Sequence, residues 1–254
     1  MIPKIIHFCW LSGDEYPPLV KKCIDTWKKK LPDFEIKMWD ASSFDFNSVQ
    51  FVKEALELKK YAFVSDYIRL YALYTQGGIY LDSDVLVFKR FDDLLKLHFF
   101  TGVEYRSGEQ EKYFLESAIM GSEPGNKVIR ECLNYYESQP FVKPDGSYNM
   151  LPAPNVFTSA FNSIYSWTPS PDEVKIDDGV MVFGTDKIRN SEYPTRPNPI
   201  FYHCNSRSWI PIEDWRGPLY RYCKAHNLQY EYNIFSTWVM NTLHRIKNMF
   251  RLKH

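Results

Sequence analysis

Net charge is the first thing this chain lacks. Its 31 basic and 31 acidic residues cancel at neutral pH, so no global field attracts nucleic acid or repels an anionic partner, and electrostatic specificity has to be local. Cysteine is the second scarcity. The five thiols, Cys9, Cys23, Cys132, Cys204 and Cys223, are odd in number, scattered and without a C-x-x-C pair, which argues against a disulfide framework and a structural zinc site and suits a reducing compartment. No apolar run approaches the roughly 20 residues that span a bilayer. The opening MIPKIIHFCWLSGDE carries an acidic pair where a signal cleavage site would stand, and it reads as a first strand. The patterns G-x-S-x-G, H-E-x-x-H, Walker A and G-x-G-x-x-G are all absent, which leaves serine hydrolase, zincin, P-loop and dinucleotide-binding chemistries without support. What the chain has in quantity is aromatic side chains, 17% of all residues, suited both to a large core and to stacking on sugars or bases.

The order of patterns predicts an α/β fold. An apolar strand over residues 3–10 meets a Leu-Ser-Gly-Asp turn, an amphipathic helix follows over 18–30, and FEIKMWD reads as a second strand. Strand, helix, strand opens a mostly parallel sheet, and ligands of such sheets sit beyond the strands' carboxyl ends, where Trp10 and Trp39 fall. Two helices are expected over 48–60 and 61–76, the second apolar on several sides and stopped by Gly77-Gly78. Beyond residue 97 come strands HFFTGVEY and SAIMGS, a helix over 125–138, and a Pro-rich, Asn-rich section to about 200 that reads as loops forming an acceptor region. Asp92-Asp93 and Asp177-Asp178-Gly179 read as turn residues or a helix start. The ending from Ile234 has Phe235, Val239, Leu243, Ile246 and Phe250 at helical spacing with Arg and Lys on its other faces. A basic amphipathic helix of this kind lies in a membrane interface or docks on its own domain. Residues 1–233 are thus expected as one catalytic domain and 234–254 as an appended helix.

The chemistry concentrates in YAFVSDYIRLYALYTQGGIYLDSDV, residues 61–85. In an extended strand Asp82 and Asp84 face the same way and Ser83 the other, so two carboxylates are offered to one divalent cation with hard oxygen preferences. Asp66 and Arg69, three apart on a helix, share a face, as an intrahelical ion pair or as an acceptor and a donor for sugar hydroxyls. In YHCNSRSW, His203 is either a third ligand for the metal or a satisfied structural histidine, while Ser206, Ser208 and the Trp209 indole can donate to phosphate oxygens.

Taken together, S-D-x-x-R and G-G-x-Y-x-D-x-D-V, with IPKIIHFCW, FEIKMWD and HCNSRSW, resemble glycosyltransferase family 32, a DXD group that includes capsular polysaccharide and yeast mannosyl enzymes. The catalytic domains of clostridial glucosylating toxins share a similar signature, and the likeness runs over about residues 2–210. It implies a GT-A fold, a Rossmann-like and mostly parallel central sheet flanked by helices, and a metal-dependent retaining hexosyltransferase. Its donor would be a nucleotide-diphosphate sugar, UDP-linked by preference, carrying galactose or glucose. Its acceptor would be a glycan or lipid-linked oligosaccharide of capsule or surface polysaccharide. By the same resemblance Asp84 would ligate Mn²⁺ (or Mg²⁺) directly, Asp82 would contact the donor ribose or the metal through water, His203 would close on the metal, and Asp66 and Arg69 would bind the donor sugar. Trp10 would receive the base, and Ser208 and Trp209 would close on the diphosphate. Asp82, Asp84, Asp66 and Arg69 are the expected catalytic set. Glu116-Ser117 stands where the family often has Asn, which puts a sugar contact there in question. The alternatives are a GDP-mannose-dependent mannosyltransferase, a nucleotidyltransferase, for which no Gly-rich triphosphate loop is visible, and a silent sugar-binding module. No nucleic acid partner is expected. The expected location is the cytoplasm, at the inner face of the cytoplasmic membrane if the terminal helix binds lipid.

Overall fold

Alternation along the first strand sets the layering. In β1 (Ile5–Cys9), Ile6 and Phe8 project to one side of a sheet and His7 and Cys9 to the other. The computed structural model describes residues 1–106, 112–190 and 199–204, with positions 235 and 239 in isolation. After β1 come α1 (Pro18–Lys30), β2 (Glu35–Trp39), α2 (Gln50–Glu57), α3 (Tyr61–Gln76), β3 (Gly78–Leu81) and β4 (Val85–Val87). A 3-10 turn at Asp92–Lys96 leads to β5 (Phe99–Arg106) and β6 (Lys112–Ser122). They are followed by α4 (Lys127–Glu137), α5 (Ala153–Asn162), β7 (Val174–Asp177), β8 (Val180–Phe183), β9 (Ile188–Asn190) and β10 (Phe201–His203).

The main sheet has seven strands in the order β2-β1-β3-β6-β5-β8-β7. Five of the seven point one way, and β6 and β7 run against them. Helices α2 to α5 cover one face, in a core that includes Phe51, Ile68, Leu133 and Phe161. The other face is covered by α1, through Leu19, Val20, Cys23, Ile24 and Trp27, and by a small sheet ordered β4-β10-β9. Each sheet face thereby buries its apolar side chains against a separate layer, the condition for a stable three-layer α/β domain. No helix among the described residues is long and apolar enough to cross a membrane.

Two glycines bring α3 and β3 together. Gly77 ends the helix at φ 64°, its N–H closing on the Leu73 carbonyl. Gly78 continues at φ 105°, and a Cβ there would lie 2.6 Å from the Ile5 carbonyl oxygen. Only glycine allows both the left-handed backbone and the close passage beside β1. The Gly77 carbonyl in turn receives His7 Nε2–H at 2.8 Å, while His7 Nδ1 accepts the Trp39 indole N–H at 3.1 Å. Both ring nitrogens are satisfied by a neutral imidazole only.

The Pro-rich section is more ordered than its composition suggests. It contains α5 and β7 to β9, because Pro152 and Pro154 fall before and within the first helical turn, where proline costs no hydrogen bond. Gly179, at φ 73°, makes the Asp177-Asp178-Gly179 turn between β7 and β8, and Asp92-Asp93 begin the 3-10 turn. The expected SAIMGS strand is the second half of the longer β6. The amphipathic helix expected from residue 234 lies outside the described residues.

Burial pushes the His7 pKa from 6.5 down to about 4, opposed by its bond to Gly77. Between those values the unfolded chain binds the proton and the folded one does not, so stability falls as pH falls through this window. From about pH 7.5 to about pH 4.5 the loss attributable to His7 is roughly 2 to 3 kcal/mol. Urea unfolding of the parent and of His7→Gln at both pH values should show this difference in slope; parallel losses would exclude it.

Candidate functional site

Beyond the carboxyl ends of β1 and β3 opens a cavity of 720 Å³, within the range of ligand pockets. Trp10 lies at its β1 end. Its indole N–H donates to the Asp14 carbonyl at 2.7 Å and its ring meets Tyr16 edge-on at 5.1 Å, which fixes the ring in place.

Asp82 and Asp84 follow β3, but not as a continuing strand. The strand ends at Leu81, and Asp82 to Asp84 form a turn closed by Val85 N–H on the Asp82 carbonyl at 3.0 Å, from which the chain enters the small sheet. The turn, not strand alternation, aims both carboxylates at the cavity. Cys204 N–H donates to the Asp84 carbonyl at 3.0 Å and anchors the end of β10, which delivers His203. Oxygens of Asp82 and Asp84 and a ring nitrogen of His203 lie within 4.8 Å of one another. This is a hard-oxygen and imidazole donor set that fits Mn²⁺ or Mg²⁺ with positions left for phosphate oxygens and water.

The imidazole lies between two acids. Nε2 is 3.4 Å from Asp84 Oδ1 and Nδ1 is 3.4 Å from Glu116 Oε2. Burial resists its charge, yet Asp84 and Glu116 hold its pKa well above the ordinary value. Glu116 is the reciprocal case: burial opposes its ionisation, and His203 draws its pKa below the usual range. With a metal at Nε2, Nδ1–H would donate to Glu116, the carboxylate behind a histidine ligand that fixes its tautomer.

Glu116 reaches this place through an irregularity in β6. Against β5 the register passes from Thr101↔Met120 to Val103↔Leu115, so two steps on one strand face five on the other. The extra residues of β6 bulge at Glu116 to Ala118, a device that re-aims side chains beside sites. Its three carbonyls are all engaged. The Glu116 carbonyl accepts the Thr101 hydroxyl at 2.5 Å, the Ser117 carbonyl accepts Arg69 Nη1 at 2.8 Å, and the Ala118 carbonyl accepts Asp82 N–H at 2.9 Å. Glu116 Oε1 itself accepts Ala118 N–H at 2.9 Å.

Arg69 and Asp66 are buried in α3 and pair at 2.9 Å. Arg69 Nη2 also lies 3.3 Å from Asp82 Oδ1, which in addition accepts the Tyr80 hydroxyl at 2.8 Å, and the guanidinium covers the Tyr80 ring at 4.8 Å. The pair is therefore more than an intrahelical contact, since it ties α3 to the Asp82 turn and to the β6 bulge. Burial raises the Asp66 pKa to about 6 against the pull of Arg69, so the carboxylate is ionised at neutral pH.

The structure thus brings Trp10, Asp66, Arg69, Asp82, Asp84 and His203 to one cavity. Ser206, Ser208 and Trp209 lie outside the described residues. Sequence reasoning did not assign Glu116 as the partner of His203, nor Glu104, Thr101 and Tyr80 to the site. A signal was present for the two glutamates, since each interrupts an otherwise apolar strand run, HFFTGVEY or FLESAIM.

Sheet order, cavity position and the two-acid, one-histidine cluster fit an enzyme of the glycosyltransferase class, to which the similar proteins point. The chain belongs to the family of capsular polysaccharide synthesis proteins, whose model matches residues 1–141. An uncharacterized glycosyltransferase of Acanthamoeba polyphaga mimivirus is 28% identical over 221 residues, covering 83% of this chain and 85% of that protein. Inositol phosphoceramide mannosyltransferase 3 of Schizosaccharomyces pombe is 34% identical over 101 residues, 37% of this chain and 27% of that protein. The solved PaToxG glycosyltransferase aligns with 64% of this chain and 69% of its own at 21% identity and a TM-score of 0.44.

Glu116→Gln keeps the shape but removes the charge behind His203. Metal affinity should fall about 10- to 100-fold, read by calorimetric titration of Mn²⁺; unchanged affinity would remove Glu116 from the site.

Proposed function

We propose that this protein is a metal-dependent, retaining hexosyltransferase that takes galactose or glucose from a UDP-linked donor. The acceptor is a hydroxyl of a glycan, a lipid-linked intermediate of capsular or surface polysaccharide. The carrying observation is the Asp82, Asp84 and His203 cluster inside one cavity with Glu116 behind the imidazole. Mn²⁺ or Mg²⁺ held by these three residues would supply Lewis-acid neutralisation of a diphosphate leaving group. The chain's own groups do the rest. Asp84, buried, and His203, half-buried at the end of β10, present positioned ligands, and Arg69 keeps Asp82 oriented by charge. Trp10, held by Asp14 and Tyr16, offers an aromatic face at the β1 end of the cavity, where a nucleotide base stacks. Retention of configuration and the UDP preference are supported by the sequence resemblance to glycosyltransferase family 32.

A second reading, transfer of mannose from GDP-mannose, is favoured by the similarity to the mannosyltransferase of S. pombe and to a mannosyl phosphorylinositol ceramide synthase of Saccharomyces cerevisiae, 31% identical over 146 residues. Incubation with Mn²⁺ and UDP-glucose, UDP-galactose or GDP-mannose separates the readings by which nucleoside diphosphate is released. Asp84→Asn should reduce that release at least 100-fold with its thermal melt unchanged. Release that persists without metal, or in this variant, would sink the assignment.

Attachment to a membrane surface is supported by the basic, apolar-striped pattern from Ile234 onward. Full-length protein should sediment with anionic vesicles and a chain ending at Asn233 should not; equal binding of the two would overturn it.

A further inference from the structure

Among the charged groups of the cavity wall that the donor reading leaves unused, two stand together on one strand. Glu104 and Arg106 stand at the carboxyl end of β5, with 15% and 32% of their side-chain surface exposed into the cavity region. Arg106 Nε donates to Glu104 Oε1 at 2.7 Å, Arg106 Nη1 donates to Asn155 Oδ1 of α5 at 3.2 Å, and its guanidinium lies 4.5 Å over the Phe114 ring of β6. Three elements hold this one side chain, so it lines the cavity in a preorganised position. Beside it Met150, Pro152, Ala153 and Pro154 form an apolar ledge on the same cavity.

The sheet order says what this corner meets. Reading across β1, β3, β6 and β5, the cavity presents Trp10, then Asp82 and Asp84, then Glu116, then Glu104. A donor laid with its base at Trp10 and its diphosphate at the Asp82 turn has its sugar over β6. The next strand, about 5 Å further on, is β5. Its two charged side chains therefore stand past the transferable sugar, on the side from which an attacking hydroxyl arrives. A structural ion pair does not explain the arrangement, because Glu104 is mostly covered and stands near a second carboxylate, Glu116. Burial and then that neighbour raise its pKa to about 7 against the effect of Arg106. Such an unfavourable placement of an acid is a mark of binding sites.

We propose that Glu104 and Arg106 form the acceptor subsite, a carboxylate and guanidinium that accept from and donate to neighbouring hydroxyls of a neutral sugar whose ring rests on the Pro152 to Pro154 ledge. This rests on the glycosyltransferase reading above.

The test uses the full chain, Mn²⁺, the donor it hydrolyses, and the methyl glycosides of glucose, galactose and mannose as acceptors. In the parent, at least one glycoside should raise nucleoside diphosphate release above hydrolysis by water. For the best acceptor, Glu104→Ala should raise the acceptor KM at least tenfold and the donor KM less than threefold, and Glu104→Gln should fall between. Monodeoxy analogues supply a readout that a packing role would not move. The parent should lose at least tenfold in kcat/KM for one missing hydroxyl, as expected where a site hydrogen-bonds that group, and Glu104→Ala should lose less than twofold at the same position. Equal discrimination by parent and variant, parallel rises of both KM values, or no stimulation by any glycoside in a parent that hydrolyses its donor would each overturn the subsite. Failure to release nucleoside diphosphate from any donor strikes the enzymatic reading instead.

Discussion

One guanidinium organises the centre of this protein. Arg69 lies in a nearly closed environment and reaches three separate pieces of chain: Asp66 on its own helix, Asp82 in the turn after β3, and the Ser117 carbonyl in the β6 bulge. A buried cation of this kind is costly unless each of its donors is answered, and it is most costly when one partner is removed. That requirement links helix, turn and bulge into one unit. The Asp82 carboxylate is consequently shared between Arg69 and the Tyr80 hydroxyl, while Asp84 pairs with His203. Structure and chemistry here use the same charges, so the site's rigidity and its electrostatics have one origin.

The second organising feature is the line of acids across the sheet. Asp84, Glu116 and Glu104 belong to three neighbouring parts of the cavity, separated and balanced by His203 and Arg106. Each carboxylate has a different environment, and their pKa directions diverge accordingly: His203 pulls Glu116 down while burial and Glu116 push Glu104 up. Carboxylates driven apart in this way are suited to different roles, and under the proposals above Glu116 would support a metal ligand and Glu104 would meet hydroxyl groups. The β6 bulge makes this possible, because a regular ladder through Met120 and Leu115 would not have carried Glu116 to His203.

Much of the first 85 residues was legible before any coordinates. Apolar runs with short spacing foretold β1, α1, β2 and α3, and the Gly77-Gly78 pair foretold a left-handed stop and a close strand passage. The same holds for the candidate residues Asp66, Arg69, Asp82, Asp84 and His203, whose types and spacing already suggested an anion-lined metal site. The second half was read less well. Prolines at 152 and 154 looked like loop residues, although they begin α5, since proline at a helix start breaks nothing.

Sequence alone determined which residues have the right chemistry and which local segments are helix or strand, because both depend on side-chain type and short-range periodicity. Tertiary structure decided which of those residues meet. Asp82 and Asp84 share a cavity through a turn between two sheets rather than along a strand, and His203 joins them only because β10 pairs with β4. Glu116 and Glu104 enter through a bulge and a strand order that no local pattern encodes. Contacts across 87 residues of chain, such as His203 with Glu116, depend on how whole layers bury their apolar faces, and that is a property of the assembled core.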